Sequence, residues 1–381
     1  MNSLVLENCS AVTPTGKIEN VSIAIDHDTI SSVSHESVPG AETIDADGML
    51  VIPGFIDVHI HGAAGIDVNE TDAEGLLEVA SFLANHGITA WVPTLVPDSD
   101  DNYRRVIGEI NLLMELQKGK AVAQAVGVHY EGVFANEKMC GALRPEFFKK
   151  FTGGEVSELP RLKSGVHVTT FAPEIDGGIE LASELTRQGW IASIGHTRAS
   201  VEVLDAAFSA GARHITHFYN AMTGLHHRDV GVVGWALTND EVTFDIIADG
   251  LHVDPKMLAF AARSKGADKV TLISDSVAPT GLGDGSFAVW GENIIVENGI
   301  TRNERGSIAG SVITMLDAFN RLRSLGFSDA EVVMMASTNP ARLLGLEDRG
   351  SIETGKRADL VGLDGDGKVR FTIVDGKMRD L

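Results

Sequence analysis

The chain has 381 residues, 44% hydrophobic and 22% charged, the balance of an ordinary globular protein. At that length a single core stops growing, so one large domain and a smaller one are expected. Lys and Arg number 31 against 53 Asp and Glu, and the net charge of −22 excludes a nucleic-acid-binding surface and leaves any anionic substrate to local features. No apolar run is long enough to span a membrane. The start, Met1-Asn2-Ser3-Leu4, has no leader pattern, and Cys9 and Cys140 read as two free thiols, so the expected location is the cytoplasm.

Taken in chain order, the first fifty residues read as short strands, Leu4–Val12, Val21–Ile25, Thr29–Val33 and Glu42–Ile44, divided by turn residues. Strands then alternate with helices. Ile56–Ile60 is followed by a helix over 72–85, Ile88–Val96 by one over 102–117, and Ala125–Tyr130 comes next. Val166–Ala172, Ile191–Gly195, His214–Phe218, Val242–Ala248 and Val270–Ser274 complete eight strands, with helices over 179–188, 201–210 and 255–264. Eight βα units predict a parallel (β/α)8 barrel of the TIM type, with an open doubly wound sheet as the competing arrangement. Residues 286–308 read as a hairpin inserted after the last barrel strand, and 315–325 and 329–344 as closing helices. The last thirty residues are β-rich again, over 359–363 and 369–374. The expected domains are therefore a small β-sandwich from 1–52 and 346–381 and a barrel over 53–345.

His59 and His61 flank Ile60 at the end of the first barrel strand. Residues two apart on a strand point to one side, so the imidazoles can converge at the C-terminal mouth where barrel active sites lie. Alone, the pair is equally compatible with two exposed loop histidines. Glu131, His196, His217 and Asp275, however, stand at or just past the ends of four other strands and face the same mouth. Four histidines and a glutamate can hold one divalent cation, or two with Glu131 bridging, which supplies hydroxide near neutral pH and polarises a carbonyl. Asp275 is then the general base and acid, taking a proton from water and giving it to the leaving nitrogen.

These segments resemble the amidohydrolase superfamily and, more closely, its N-acetylglucosamine-6-phosphate deacetylases. The resemblance spans nearly the whole chain and rests on Pro53–Gly62, His129-Tyr130-Glu131-Gly132, Gly195-His196-Thr197, His217-Phe218-Tyr219-Asn220-Ala221-Met222, Ala248-Asp249-Gly250-Leu251-His252, Ser274-Asp275 and Ala309-Gly310-Ser311. It implies hydrolysis of an N-acetylated amino-sugar phosphate by a homodimer carrying one or two ions of Zn, Fe, Mn or Co. It makes Glu131, His196 and His217 ligands of the main metal, His59 and His61 ligands of a second, and Asp275 the catalytic acid/base. His252 is expected to bind substrate and polarise the acetamide carbonyl. Ala142, the backbone amides of Asn220 and Ala221, Arg228 and Ala309 are the implied substrate contacts, with His227 reaching a pocket across a dimer interface.

The chain departs from the family pattern in one region. Val133 stands where a proline is usual, Met139 where a lysine can meet the phosphate, and Leu143 where a histidine faces substrate, with Lys138 and Arg144 nearby as substitutes. Three other readings stay open on the residues: the 4-epimer, N-acetylgalactosamine 6-phosphate; another amide, such as a ring amide or an N-acyl amino acid or sugar; and a non-catalytic scaffold of the same fold. No lysine ends a barrel strand to form a carbamylated bridge, which counts against the ring amide.

Overall fold

A computed structural model describes residues 3–36 and 42–380; residues 1, 2, 37–41 and 381, parts of the expected β domain, lie outside the described residues. All eight expected barrel strands form, as Phe55–Ile60, Ile88–Leu95, Gly127–Phe134, Val166–Phe171, Ile191–Ile194, His214–Ile215, Thr243–Ile247 and Val270–Ile273. They pair in parallel, each with its neighbour in chain order. This is the pattern that strands buried on both faces, rich in Val and Ile, are expected to give. The ring closes between its first and last strands through one bridge, Ile60 to Ser276, with Asp275 N donating to His59 O at 3.0 Å and His61 N to Ser276 O at 2.8 Å.

Helices cover the outside and start where the sequence provides caps. Asp72 accepts from Gly75 N ahead of Ala73–Asn85, Ser99 from Asn102 N ahead of Asp100–Leu116, and Thr314 and Ser328 form capping boxes with Asp317 and Glu331. Two elements differ from the sequence reading for local reasons. The expected helix over 329–344 is a helix with a π-turn at Met334–Thr338, because Pro340 has no N–H to continue the ladder and Asn339 N reaches back to Met334 O. The helix Gly231–Thr238 has no polar face, since six of its eight residues are buried, so no amphipathic period marks it.

The chain ends form a separate eight-stranded sheet, in which Leu50–Pro53 bridges the N-terminal strands to Leu360–Leu363, Val369–Val374 and Lys377–Asp380. It buries its own apolar cluster, including Leu6, Cys9, Ile23, Ile25 and Phe371. The insertion after the last barrel strand is a three-stranded antiparallel sheet, Gly285–Val289, Glu292–Glu297 and Ile300–Arg302.

Candidate metal centre and active site

The candidate residues leave the strands in one way. His196, His217 and Asp275 each stand two residues beyond a strand end, and each takes a left-handed backbone, with φ of 47°, 35° and 49°. Such angles are uncommon outside glycine and mark places where surrounding structure holds the chain against its preference. The third strand runs on past Glu131 to Phe134 through a register shift. Gly132, with φ of +69°, permits that bulge, which leaves Glu131 aimed at the mouth.

The result is two clusters of donors, His59–His61–Asp275 and Glu131–His196–His217, all buried. His59 Nε2 and His61 Nε2 are 3.1 Å apart, and His196 Nε2 and His217 Nε2 are 3.0 Å apart. Glu131 Oε1 lies 3.0 Å from both His196 and His217 and 3.5 Å from His59, while Oε2 lies 3.2 Å from His61. Asp275 Oδ1 is 3.4 Å from His59 and 3.3 Å from His61. Donors about 2.0–2.1 Å from a shared tetrahedral ion stand a little over 3 Å from each other, so these separations fit a common cation.

Electrostatics agree. Burial alone would pull His61 and His217 down, yet hydrogen bonds to Asp275 and Glu131 push His61 up to about 10, and those to Glu131 push His217 up to about 9. Burial likewise opposes ionisation of Glu131 and Asp275, but the imidazoles hold both below the usual carboxylate range. Two buried carboxylates among four imidazoles require positive charge, and a divalent cation supplies it.

Neighbouring groups aim the rings. His196 Nδ1 meets Met139 O at 2.8 Å, and His61 Nδ1 meets Thr94 O at 3.3 Å. His252 Nδ1 meets Asp249 Oδ2 at 2.6 Å, and Asp249 Oδ1 accepts from the amides of Leu251 and His252, which leaves His252 Nε2 free to face a ligand. A cavity of about 280 Å³ opens above the donors, lined among others by Ala142, Leu143, Asn220, Ala221, His252 and Trp290.

Other expected contacts are placed differently. Asn220 N is taken by His217 O at 2.9 Å, so of that amide pair only Ala221 N lacks a protein acceptor among the described residues. Ala309 is fully buried, its amide on Thr301 Oγ1, and its neighbours Ser307, Ile308 and Gly310 line the cavity in its place. Arg228 and His227 sit on an exposed loop, with the guanidinium donating to His227 Nε2 at 2.6 Å, and neither lines the cavity. Arg144 is spent on Pro97 O and Asp98, and Lys138 faces a different hollow beside Lys149 and Glu174. Met139 contributes its carbonyl to His196, while Leu143 joins Val96, Val277, Ala309 and Trp290 in an apolar wall.

Sequence reasoning did not assign Trp290, Asp249 or Arg305 to the site. Trp290 caps the first turn of the inserted sheet with φ of +57° and sets its ring 5.3 Å from His61, edge to face. Arg305 donates to Ala142 O at 2.7 Å and Leu143 O at 3.2 Å, fixing the segment that carries Leu143. A tryptophan at a strand turn, followed by Gly291, was the one available signal.

A parallel barrel whose mouth gathers two buried His and carboxylate donor clusters and an oriented histidine defines a metal-dependent hydrolase. Comparison with known proteins is specific. The amidohydrolase family model matches residues 50–379. The chain is 34% identical to the N-acetylglucosamine-6-phosphate deacetylase of Bacillus subtilis (strain 168), covering 99% of this chain and 97% of that one. It is 32% identical to the N-acetylgalactosamine-6-phosphate deacetylase of Escherichia coli O157:H7, covering 98% of each. The solved N-acetylglucosamine-6-phosphate deacetylase of Pasteurella multocida superposes over 100% of both chains with a TM-score of 0.92 and 26% identity. The chain belongs to the amidohydrolase family and, within it, to the N-acetylglucosamine-6-phosphate deacetylase group.

Proposed function

We propose that the protein hydrolyses the acetamide of N-acetylglucosamine 6-phosphate to glucosamine 6-phosphate and acetate. The observation that carries this reading is the meeting of both donor clusters, Asp275 and His252 around one cavity. A divalent cation bound there would supply Lewis acidity toward the carbonyl and lower the pKa of water. Glu131, His196 and His217 would hold the main ion, and His59 and His61 a second where two bind, with Glu131 3.5 Å from His59 and 3.2 Å from His61; zinc, iron(II), manganese and cobalt all suit such ligands. Asp275 accepts the proton of the attacking water and returns it to the nitrogen as the C–N bond breaks. His252, held through Nδ1 by Asp249, offers Nε2 to the carbonyl oxygen.

The phosphate falls to Ala221 N and to Arg228 and His227 on their exposed loop, because among the described residues no lysine or arginine lines the cavity. Leu225 and Val230 on that loop are 56% and 39% exposed, which supports a homodimer in which a second copy covers them and His227 reaches the neighbouring pocket. Two free thiols support a cytoplasmic enzyme. The N-acetylgalactosamine 6-phosphate reading is favoured by the relative that bears that name.

Acetate release by metal-reconstituted protein, measured on both epimers with and without the 6-phosphate, tests the proposal. Release from the gluco phosphate with the higher kcat/KM is expected. Preference for the galacto epimer would move the assignment to the second reading, and release from neither would overturn both.

A further inference from the structure

Each imidazole of a metal centre is usually aimed by a hydrogen bond from its second ring nitrogen. Here only half are. His196 and His61 have theirs on the carbonyls of Met139 and Thr94. Nδ1 of His59 and Nδ1 of His217 are buried and have no hydrogen-bond partner among the described residues. Something else must hold these two rings.

In both cases a buried aspartate grips the main chain. Asp57, on the first barrel strand, accepts from His59 N at 3.3 Å and from Ser274 N and Oγ at 3.3 and 2.5 Å. That ties His59 to the residue before Asp275. Asp245, on the seventh strand, accepts from His217 N through Oδ1. Its other oxygen faces His214 Nε2 at 3.2 Å, and His214 Nδ1 meets Thr243 Oγ1 at 2.7 Å, so the carboxylate is itself held. The carbonyl of Asp245 takes Phe218 N at 2.8 Å, so two successive amides are pinned where His217 adopts its left-handed φ of 35°.

We propose that Asp57 and Asp245 are positioning residues. They fix the backbone of the two histidines whose rings lack a second hydrogen bond, and so set where those imidazoles point. The inference rests on the reading of both clusters as metal ligands, but it concerns ion binding and is tested without substrate.

The test is zinc affinity of the full-length protein in chelator-buffered zinc, with the absorption spectrum of the cobalt-loaded form as a second readout. Asp245→Ala is expected to weaken zinc binding by about 10–100-fold and to alter the cobalt spectrum. Asp245→Asn keeps an oxygen toward His217 N, with His214 taking its other tautomer, and is expected to recover affinity to within about threefold of the parent. If Asp245→Ala does not fold, Asp245→Ser, which cannot reach the His217 amide, takes its place with the same loss expected. Asp57→Ala and Asp57→Asn repeat the comparison at the other cluster. Parent-like affinity in the Ala and Ser variants would overturn the proposal, as would equal losses in Ala and Asn, which would make charge the cause. Zinc binding that follows the expected pattern in a protein releasing no acetate would leave the positioning role standing and remove only the assigned substrate.

Discussion

Gly132 offers a quantitative check on how the site is assembled. A Cβ added there would lie 2.2 Å from Leu143 Cδ1, at a backbone φ of +69°. Ordinary carbon contacts are about 3.5–4.0 Å, so Leu143 must retreat by roughly 1.5 Å. It is buried against Val96, Val277, Trp290 and Ala309, and it can retreat toward the cavity it lines by giving up part of that packing. Overpacking of this kind costs about 1–3 kcal/mol, and the left-handed backbone about 1–2 kcal/mol more for a residue with a Cβ. Gly132→Ala should therefore lose about 2–5 kcal/mol. With an unfolding entropy of about 2 cal/mol/K per residue over 381 residues, Tm falls by roughly 3–6 °C. Calorimetry on the zinc-loaded protein measures it. Leu143→Ala is destabilising alone, but it removes the clash, so the double variant should beat the additive sum by about 1–3 kcal/mol. A Gly132→Ala protein within about 1 °C of the parent, or strict additivity in the double variant, would refute the account of the bulge.

Asp275→Asn should keep the fold and retain metal while lowering kcat by at least about 100-fold, and acetate release at saturating substrate reads this; unchanged kcat would remove Asp275 from proton transfer. Stability of the metal-free protein should fall with rising pH. Because His61 and His217 are raised to about 10 and 9, their contribution is complete below the unfolded histidine value of about 6.5 and is lost as pH climbs through 9–10. Zinc-loaded protein should not show that loss, and a flat or rising Tm for the metal-free form over the same range would contradict it. The thiols should differ as well. Cys9 is buried, donates to Val21 O at 3.2 Å and is pushed up by burial to about 11, while Cys140 is half-buried. A thiol reagent at neutral pH should titrate one group quickly and the second only on unfolding; two equal rates would contradict the packing of the terminal sheet.

Much of this was legible in the sequence, for identifiable reasons. Barrel strands are buried on both faces, so they appear as Val- and Ile-rich runs, and polar residues that end such runs stand out against them. His59, His61, Glu131, His196, His217 and Asp275 were visible for that reason, and the structure brings them together. What stayed hidden depends on contacts between segments distant in sequence. Nothing local tells that Trp290 turns onto His61, that Arg305 holds the carbonyls of Ala142 and Leu143, or that Asp98 occupies Arg144. Backbone amides are equally opaque, since the bond from Asn220 N to His217 O exists only once the turn has formed. Gly231–Thr238 was missed because a helix buried all round carries no period to read.

The seam between the first and last barrel strands has one more consequence. It is bridged at Ile60 and Ser276 by peptide groups belonging to His59, His61 and Asp275 and their neighbours, and beside them by the Asp57 carboxylate on Ser274. The clasp that keeps the barrel shut and the side chains of the donor clusters thus belong to the same few residues. Opening that seam therefore displaces the main chain of His59, His61 and Asp275 together.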